Sequence, residues 1–419
     1  MKMGFVFPGQ GSQFVGMGQS LYNRHKLIRQ TYEQASEILD IDISKISFEG
    51  PLAKLSQLEN LFPAIVIQEI ASYRSFMKEY GTAPQICAGH SLGEYAALHC
   101  SGALSFKDTL LLVRLRGRFA QTIVDSGAAG MSIVDEIAIE QVENICKNMQ
   151  EEGARVWVSC RNSPTQTAIC GRSEDMKNAE DEIASHGGKI SPLFDNAPFH
   201  CQLMQEFAAP FEEEINKCQI YYTRYPVISG LTGKPFLKES EIRAGLVRQL
   251  YMPINWINVA AYMKRCSLTH VVEMSGKNIL TNLVKDSLPD TECLCYGHKQ
   301  AEPRLRELIL EDEKVARHIP TVITKCLKAA VATPNENFDE QEYEEGVIKP
   351  YRKIVALQEQ LEVAQEKPSK EYMNEALVHL KSILDTKRVS IKEQYEWLQE
   401  ILDETGTRYL LSAVWEGMS

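Results

Sequence analysis

The chain has 419 residues, 44% hydrophobic and 24% charged, with 25 Gly and 17 Pro, which excludes collagen-like, low-complexity and wholly disordered classes. Its formal net charge is -11, of which residues 301–419 hold -7 (23 acidic against 16 basic) and residues 1–300 only -4. An acidic balance argues against sequence-independent nucleic-acid binding, and its unevenness points to two parts with different jobs.

In chain order, residues 4–7 read as a buried strand stopped by Pro8-Gly9, with a helical pattern over 14–22. Residues 64–80 have the spacing of a long helix. An apolar run at 85–89 enters a glycine-flanked serine, and 92–100 and 106–124 read as helices. Strand, crossover helix and strand in repetition predict an α/β fold with a mostly parallel sheet covered on both faces.

The rhythm then changes. Residues 130–134, 155–160, 165–170 and 189–193 are strand-like, with Asn162-Ser163-Pro164 as a turn and helices over 139–149 and 174–185. That βαββαβ order predicts a ferredoxin-like subdomain at 127–197, inserted in a larger domain made of 1–126 and 198–298. The larger domain resumes with a strand at 227–229, a helix around Leu246 and a strand over 269–274. From 299 to 419 strand signals stop, and 303–332, 343–365, 371–384 and 391–402 carry helical spacing, which predicts a C-terminal helical extension.

The eleven cysteines are odd in number and include no CxxC pair, so they fit no disulfide framework. The opening Met-Lys-Met-Gly-Phe-Val-Phe-Pro holds too short an apolar run for a secretory signal. No stretch approaches the ~18 uninterrupted apolar residues of a membrane span. The expected compartment is a reducing cytoplasm, with the cysteines as small buried hydrophobes. Cys293, Cys295 and His298 lie close together, but no second ligand pair follows, so no metal is expected.

Gly89-His90-Ser91-Leu92-Gly93 matches G-x-S-x-G, a weak pattern by itself. Here an apolar run ends at Gly89 and a helix begins after Ser91, the context of a tight strand-to-helix turn that presents a nucleophilic hydroxyl. The plainer reading is a helix capped by Ser91. A nucleophilic serine needs a base, and nine histidines leave that choice open. His200 lies in a loop at the seam between the two domains, where a surface histidine is the plainer reading.

Several further pieces occur in a fixed order: Phe7-Pro-Gly-Gln-Gly-Ser-Gln13, Gly89-His-Ser-Leu-Gly-Glu94, Arg116-Gly117, Asn162-Ser-Pro164, Pro198-Phe-His200, and Gln249 before Pro253-Ile-Asn-Trp256. Together they resemble the malonyl-CoA:acyl-carrier-protein transacylase family, including acyltransferase domains of polyketide synthases, over roughly residues 1–298. The resemblance implies an α/β-hydrolase-like core with a ferredoxin-like insert. Two stretches depart from the family pattern: Phe62-Pro63-Ala64 stands where Gln-Pro-Ala is common, and Ser275-Gly276-Lys277 where Gly-Pro-Gly is common.

Carried over residue by residue, the resemblance implies that Ser91 attacks the malonyl thioester and His200 removes its proton. The region of Gln249 orients His200, and the backbone N–H groups of Gln10 and Leu92 receive the oxyanion. Arg116 clamps the malonyl carboxylate, unless it is a helix-surface arginine like its neighbours Arg114 and Arg118. Phe199 crowds the extra methyl of methylmalonyl, and Asn162 belongs to the substrate site. No cofactor is implied: malonyl-CoA is the donor, and the phosphopantetheine is borne by an acyl carrier protein, the main partner.

The leading expectation is malonyl transfer to a carrier protein that supplies a polyketide synthase in trans, with fatty-acid synthesis as the alternative pathway. An editing acyl hydrolase is a second enzyme reading, disfavoured by Arg116, and a docking module is a third. The spacing of Ile354, Leu357, Leu361, Leu377, Leu380 and Leu384 points either to a surface for synthase modules or to helices that finish a core. Arg114 or Arg118, if exposed, would join a basic face for an acidic carrier.

Overall fold

Alternation along the first strand sets the layers of the larger sheet. In β1 (Met3–Phe7) every residue is buried. Val6 faces one side, in a cluster with Ile86, Ile228, Trp256, Val259 and Leu280. Phe5 faces the other, its ring edge-on to Phe76 at 5.0 Å on the helix Leu58–Tyr80. A strand buried on both faces, with helices on both, is what a parallel sheet needs. In the computed structural model this sheet runs β10 (Glu292–Cys295), β9 (His270–Glu273), β1, β2 (Ile86–Gly89), β7 (Val227–Ile228), with all four pairings parallel. The structure describes residues 2–407 except 195, 299–300, 317–320, 365 and 367, together with residue 411.

The smaller sheet has the order β6 (Lys189–Leu193), β3 (Ala129–Asp135), β5 (Gln166–Arg172), β4 (Val156–Ser163), β8 (Ile254–Asn255). Its first three pairings are antiparallel, and β8 joins β4 in parallel. Helices Ile139–Glu151 and Ser173–Ser185 cover one face through Val142, Cys146, Met176 and Ile183. β8 lies outside residues 127–197, so the edge strand of this sheet comes from beyond the stretch expected to form it. Two residues are too few to show a period, which is why no strand was expected there.

Four local expectations need correction. Residues 15–18 are turns and the helix is Gln19–Arg24, because Gly16 and Gly18 take φ of 98° and 81°. The long helix starts at Leu58, with Pro63 inside it. β4 runs through Asn162 and Ser163, so the turn falls at Pro164-Thr165; register shifts at Val158/Cys160 and Arg161/Ser163 keep the two ends paired. The strand expected over 269–274 is confined to His270–Glu273.

The chain forms two compact units, Met1–Arg306 and Glu307–Ser419. In the second, helices Val322–Ala332, Lys349–Ala364, Lys370–Thr386 and Ile391–Glu404 surround their own apolar core. The expected helix over 303–332 is Ala301–Ala316 followed by Val322–Ala332, and residues 317–320 of that expectation lie outside the described ones. Ile354, Leu357, Leu361, Leu377, Leu380 and Leu384 are all buried in this interior, so their spacing is spent on the unit's own packing and leaves no apolar surface of theirs for a partner. No helix among the described residues is long and apolar enough to cross a membrane.

Candidate active site

The site begins at the carboxyl end of β2. There Ser91 adopts a left-handed φ of 52°, a costly conformation for a residue with a side chain, held by the close packing around it. A Cβ on Gly93 would lie 2.0 Å from the carbonyl oxygen of Phe7, so only glycine lets the helix Gly93–Cys100 start against β1. The result is the sharp elbow that the motif predicts.

His200, in the chain after β6, is brought to this elbow. Its Nε2 is 2.7 Å from the Oγ of Ser91. Its Nδ1 is 2.5 Å from the backbone carbonyl of Gln249, and its own backbone N–H donates to the carbonyl of Leu250 at 2.8 Å. A carbonyl only accepts, so Nδ1 carries the proton and Nε2 keeps its lone pair for Ser91. Burial, then the nearby Arg116 charge, hold His200 well below the ordinary histidine value, which leaves the ring neutral and ready as a base.

The role expected of Gln249 therefore falls to its main chain. Its side-chain amide points elsewhere and donates to Glu94 Oε1 at 3.1 Å.

Gln10 and Leu92 are the residues whose N–H groups were expected to receive an oxyanion. Gly9 donates its N–H to Glu69 Oε1 at 2.6 Å and Gly11 to Gln13 Oε1 at 2.7 Å. Gly93 and Glu94 donate to the carbonyls of His90 and Ser91. Among the described residues no hydrogen bond takes up the N–H of Gln10 or of Leu92. The Gln10 side chain donates to Asn196 Oδ1 at 2.5 Å. At the departing Ser275-Gly276-Lys277 stretch, Lys277 Nζ donates to the carbonyl of Gln13 at 2.8 Å and so clips the same loop.

Arg116 is 1% exposed, which settles it as an interior arginine. Helices Phe106–Ser126 and Leu58–Tyr80 approach so closely that a Cβ on Gly117 would be 2.3 Å from the Leu58 carbonyl; the Arg116-Gly117 pair thus joins a functional side chain to the contact that seats it. Nη2 of Arg116 donates to the Ser91 Oγ at 2.8 Å. Among the described residues its Nε and Nη1 find no hydrogen-bond partner. The guanidinium carbon lies 4.4 Å from the Phe199 ring centre, 5.6 Å from Tyr95 and 5.9 Å from Phe62. Phe62, where the family commonly has glutamine, thus adds a ring and no hydrogen bond. Nε and Nη1 each share an edge with Nη2, so either edge of this buried cation can take the two oxygens of a planar anion beside Ser91.

Asn162 accepts at Oδ1 from His90 Nε2–H at 2.9 Å, and its amide nitrogen donates to Gln166. It reaches the elbow through His90, whose ring also lies 5.5 Å from that of Trp256. Arg114 is half-buried and donates to the Leu39 carbonyl, whereas Arg118, paired with Glu59, keeps its side chain exposed. Cys295 donates to the Ser275 carbonyl, and among the described residues no three His, Cys, Asp or Glu are grouped to hold a metal.

Three buried carboxyls, Glu69, Glu94 and Glu273, went unread in the sequence. Glu69 holds Gly9 from the middle of an apolar helix, and Glu94 contacts Gln249. A charged residue inside the run Ala64 to Ala71 was the available signal for the first.

Comparison with known proteins agrees with this geometry. Residues 4–321 match the family described as acyl transferase domain. A Bacillus subtilis protein named malonyl CoA-acyl carrier protein transacylase is 28% identical over 398 residues, 95% of this chain and the whole of that protein. Its namesake from Bacillus subtilis strain 168 is 34% identical over 285 residues, 68% of this chain and 90% of its own length. Among solved structures, the malonyl CoA-acyl carrier protein transacylase of Coxiella burnetii has a TM-score of 0.70 at 33% identity, covering 75% of this chain and 97% of that one. A malonyl-transacylase in complex with its type II polyketide synthase acyl-carrier protein has a TM-score of 0.69 at 31% identity, covering 72% and 97%.

Proposed function

Because the chain belongs to the acyl transferase domain family, we propose that it moves a malonyl group from malonyl-CoA to the phosphopantetheine thiol of an acyl carrier protein. The observation that carries this reading is the buried Arg116, with idle Nε and Nη1, beside a Ser91–His200 pair at 2.7 Å. A serine and a neutral base serve any acyl ester, but a carboxylate-sized cation beside them selects a malonyl unit. The two sheets are read as a hydrolase-like core and a ferredoxin-like insert, supported by the parallel order of the first and the βαββαβ connectivity of the second.

In the first half-reaction Ser91 Oγ attacks the thioester carbonyl as its proton passes to His200 Nε2. The oxyanion draws on the N–H groups of Gln10 and Leu92. Collapse forms the seryl ester and expels the CoA thiolate, which takes the proton from His200. In the second half the carrier thiol gives its proton to His200 and attacks the ester; Ser91 leaves with that proton. The Gln249 carbonyl steadies the imidazolium without a full charge, enough for a donor as activated as a thioester. Asn162 supports the elbow through His90, and Phe199 forms a wall of the acyl pocket.

We read the pathway as polyketide assembly served in trans. Solved relatives covering 72–75% of this chain are matched over 97% of their own length, so the second unit is additional to them. The 398-residue match to the Bacillus subtilis protein runs into that unit. The enzyme is to be incubated with malonyl-, acetyl- and methylmalonyl-CoA, with and without carrier. Malonyl transfer that vanishes in Ser91→Ala supports the reading; rapid release of free acid from acyl-carriers would favour the editing hydrolase instead.

A further inference from the structure

Nucleophile and base come from distant parts of the chain, so something must hold the base's support against the elbow. The support is the segment Gln249–Leu250, whose two consecutive carbonyls accept from the ring and the backbone of His200. The elbow continues into the helix Gly93–Cys100, and Glu94 stands in its first turn, fully buried. Its Oε1 accepts from Gln249 Nε2 at 3.1 Å and its Oε2 from the Gly230 N–H at 2.6 Å. Among the described residues the Gln249 amide has no other hydrogen bond, and its Oε1 is without a partner.

We propose that Glu94 is a positioning residue: from three places after the nucleophile it anchors Gln249, and through the Gln249 carbonyl it sets the reach of His200 toward Ser91. The geometry closes a ring, Ser91 to Glu94 along the chain, Glu94 to Gln249 through a side-chain bond, Gln249 to His200 through a main-chain bond, and His200 back to Ser91 at 2.7 Å. Gly230 is the second foot of the anchor. Its carbonyl accepts from Asn255, the residue that pairs with Arg161 of the smaller sheet, so the ring is tied to both layers of the first unit. Burial lowers Arg116, with Tyr95 and then Glu94 pulling the other way, and burial in turn pushes Glu94 up to about 7.

This deepens the malonyl-transfer reading and rests on it, so wild-type transfer is measured first; its absence would sink that reading and leave the anchor to a substrate-free signal. That signal is the downfield proton resonance of the His200 Nδ1–H. With Glu94→Ala, kcat should fall on the order of 100-fold, the cost of a base held loosely, while KM for malonyl-CoA stays within about threefold. Gln249→Ala removes the same tether and leaves the carbonyl in place, so it should lose a similar factor. The double variant should be no worse than either single one, because both act through one link. In both, the His200 resonance should shift or broaden. Glu94→Gln should stay within about fivefold of wild type, since a turned-over Gln249 amide restores the bond.

Wild-type kcat in folded Glu94→Ala, losses that multiply in the double variant, or an unmoved His200 resonance would each overturn the proposal. Should Glu94→Ala not fold, Gln249→Ala decides alone: unchanged kcat rejects the anchor.

Discussion

Arg116 donates through Nη2 to the Ser91 oxygen across 2.8 Å, so the guanidinium proposed to meet the malonyl carboxylate also touches the proposed nucleophile. The contact leaves Nε and Nη1 idle while it orients the hydroxyl whose proton His200 removes. Arg116→Ala should lower kcat/KM for malonyl-CoA by about 2–5 kcal/mol, at least on the order of 30-fold, and shift relative use toward acetyl-CoA. Arg116→Lys should recover only part, because a point charge lacks the second prong. Parallel assays with both donors check this; an unchanged malonyl-to-acetyl ratio would remove Arg116 from substrate recognition.

Burial and the Arg116 charge hold His200 below its ordinary 6.5, so the base stays neutral into mildly acidic solution. The acid limb of kcat/KM for Ser91 acylation should therefore lie below pH 6.5, with activity falling as pH drops and the ring takes a proton. Stopped-flow acylation across pH measures it. A limb at or above 6.5 would contradict the buried, cation-flanked setting of the ring.

Burial pushes Glu69 up to about 8 from the usual 4.5, despite the Gly9 N–H that draws it down. The folded chain thus holds a proton that the unfolded chain releases. Its contribution to stability is full below 4.5 and is lost as pH rises to about 8. Glu69→Gln keeps an acceptor for Gly9 and does not titrate. Its Tm should gain on wild type steadily from about pH 5 to about pH 9; a constant difference would show that Glu69 is ionised in the fold throughout.

Phe199 stacks within 4.4 Å of the Arg116 guanidinium and is almost wholly buried. Phe199→Ala should raise methylmalonyl relative to malonyl transfer by about tenfold, the worth of one methyl, and raise KM for malonyl through the lost ring–cation contact. Competition between the two donors, read by mass of the acylated carrier, tests it. An unchanged ratio would place the methyl against another wall.

Ending the chain after residue 321, where the family match stops, should leave transfer to a generic carrier within about threefold and lower transfer to the cognate synthase's carriers. Full activity toward every carrier would reduce the second unit to a passive extension.

Much of this site is legible in one sequence because its parts are local. Ser91, Arg116-Gly117 and the Gly9–Gly11 loop each carry a residue type that their neighbourhood demands, and β1, β2 and the βαββαβ stretch show through period and turn chemistry. What stayed hidden is non-local. Gln249 was found, but a sequence does not say that its main chain, not its amide, faces His200. Glu94 and Glu69 look like ordinary helix acids until the fold buries them. The apolar spacing after residue 350 is as fit for a core as for a surface, and only packing decides: Ile354 and Leu380 are buried in the second unit.

β8 has two residues, yet its parallel pairing with β4 has a consequence for how this enzyme chooses substrates. It makes the small sheet continuous with the segment that leads from the Gln249 support into Trp256, so the pocket is framed like a doorway built into two walls rather than hinged on one. On the proposed function, choosing among acyl groups falls to the furniture, rings such as Phe62 and Phe199 and the fork of Arg116. Changes of specificity should come one side chain at a time, with the frame left standing.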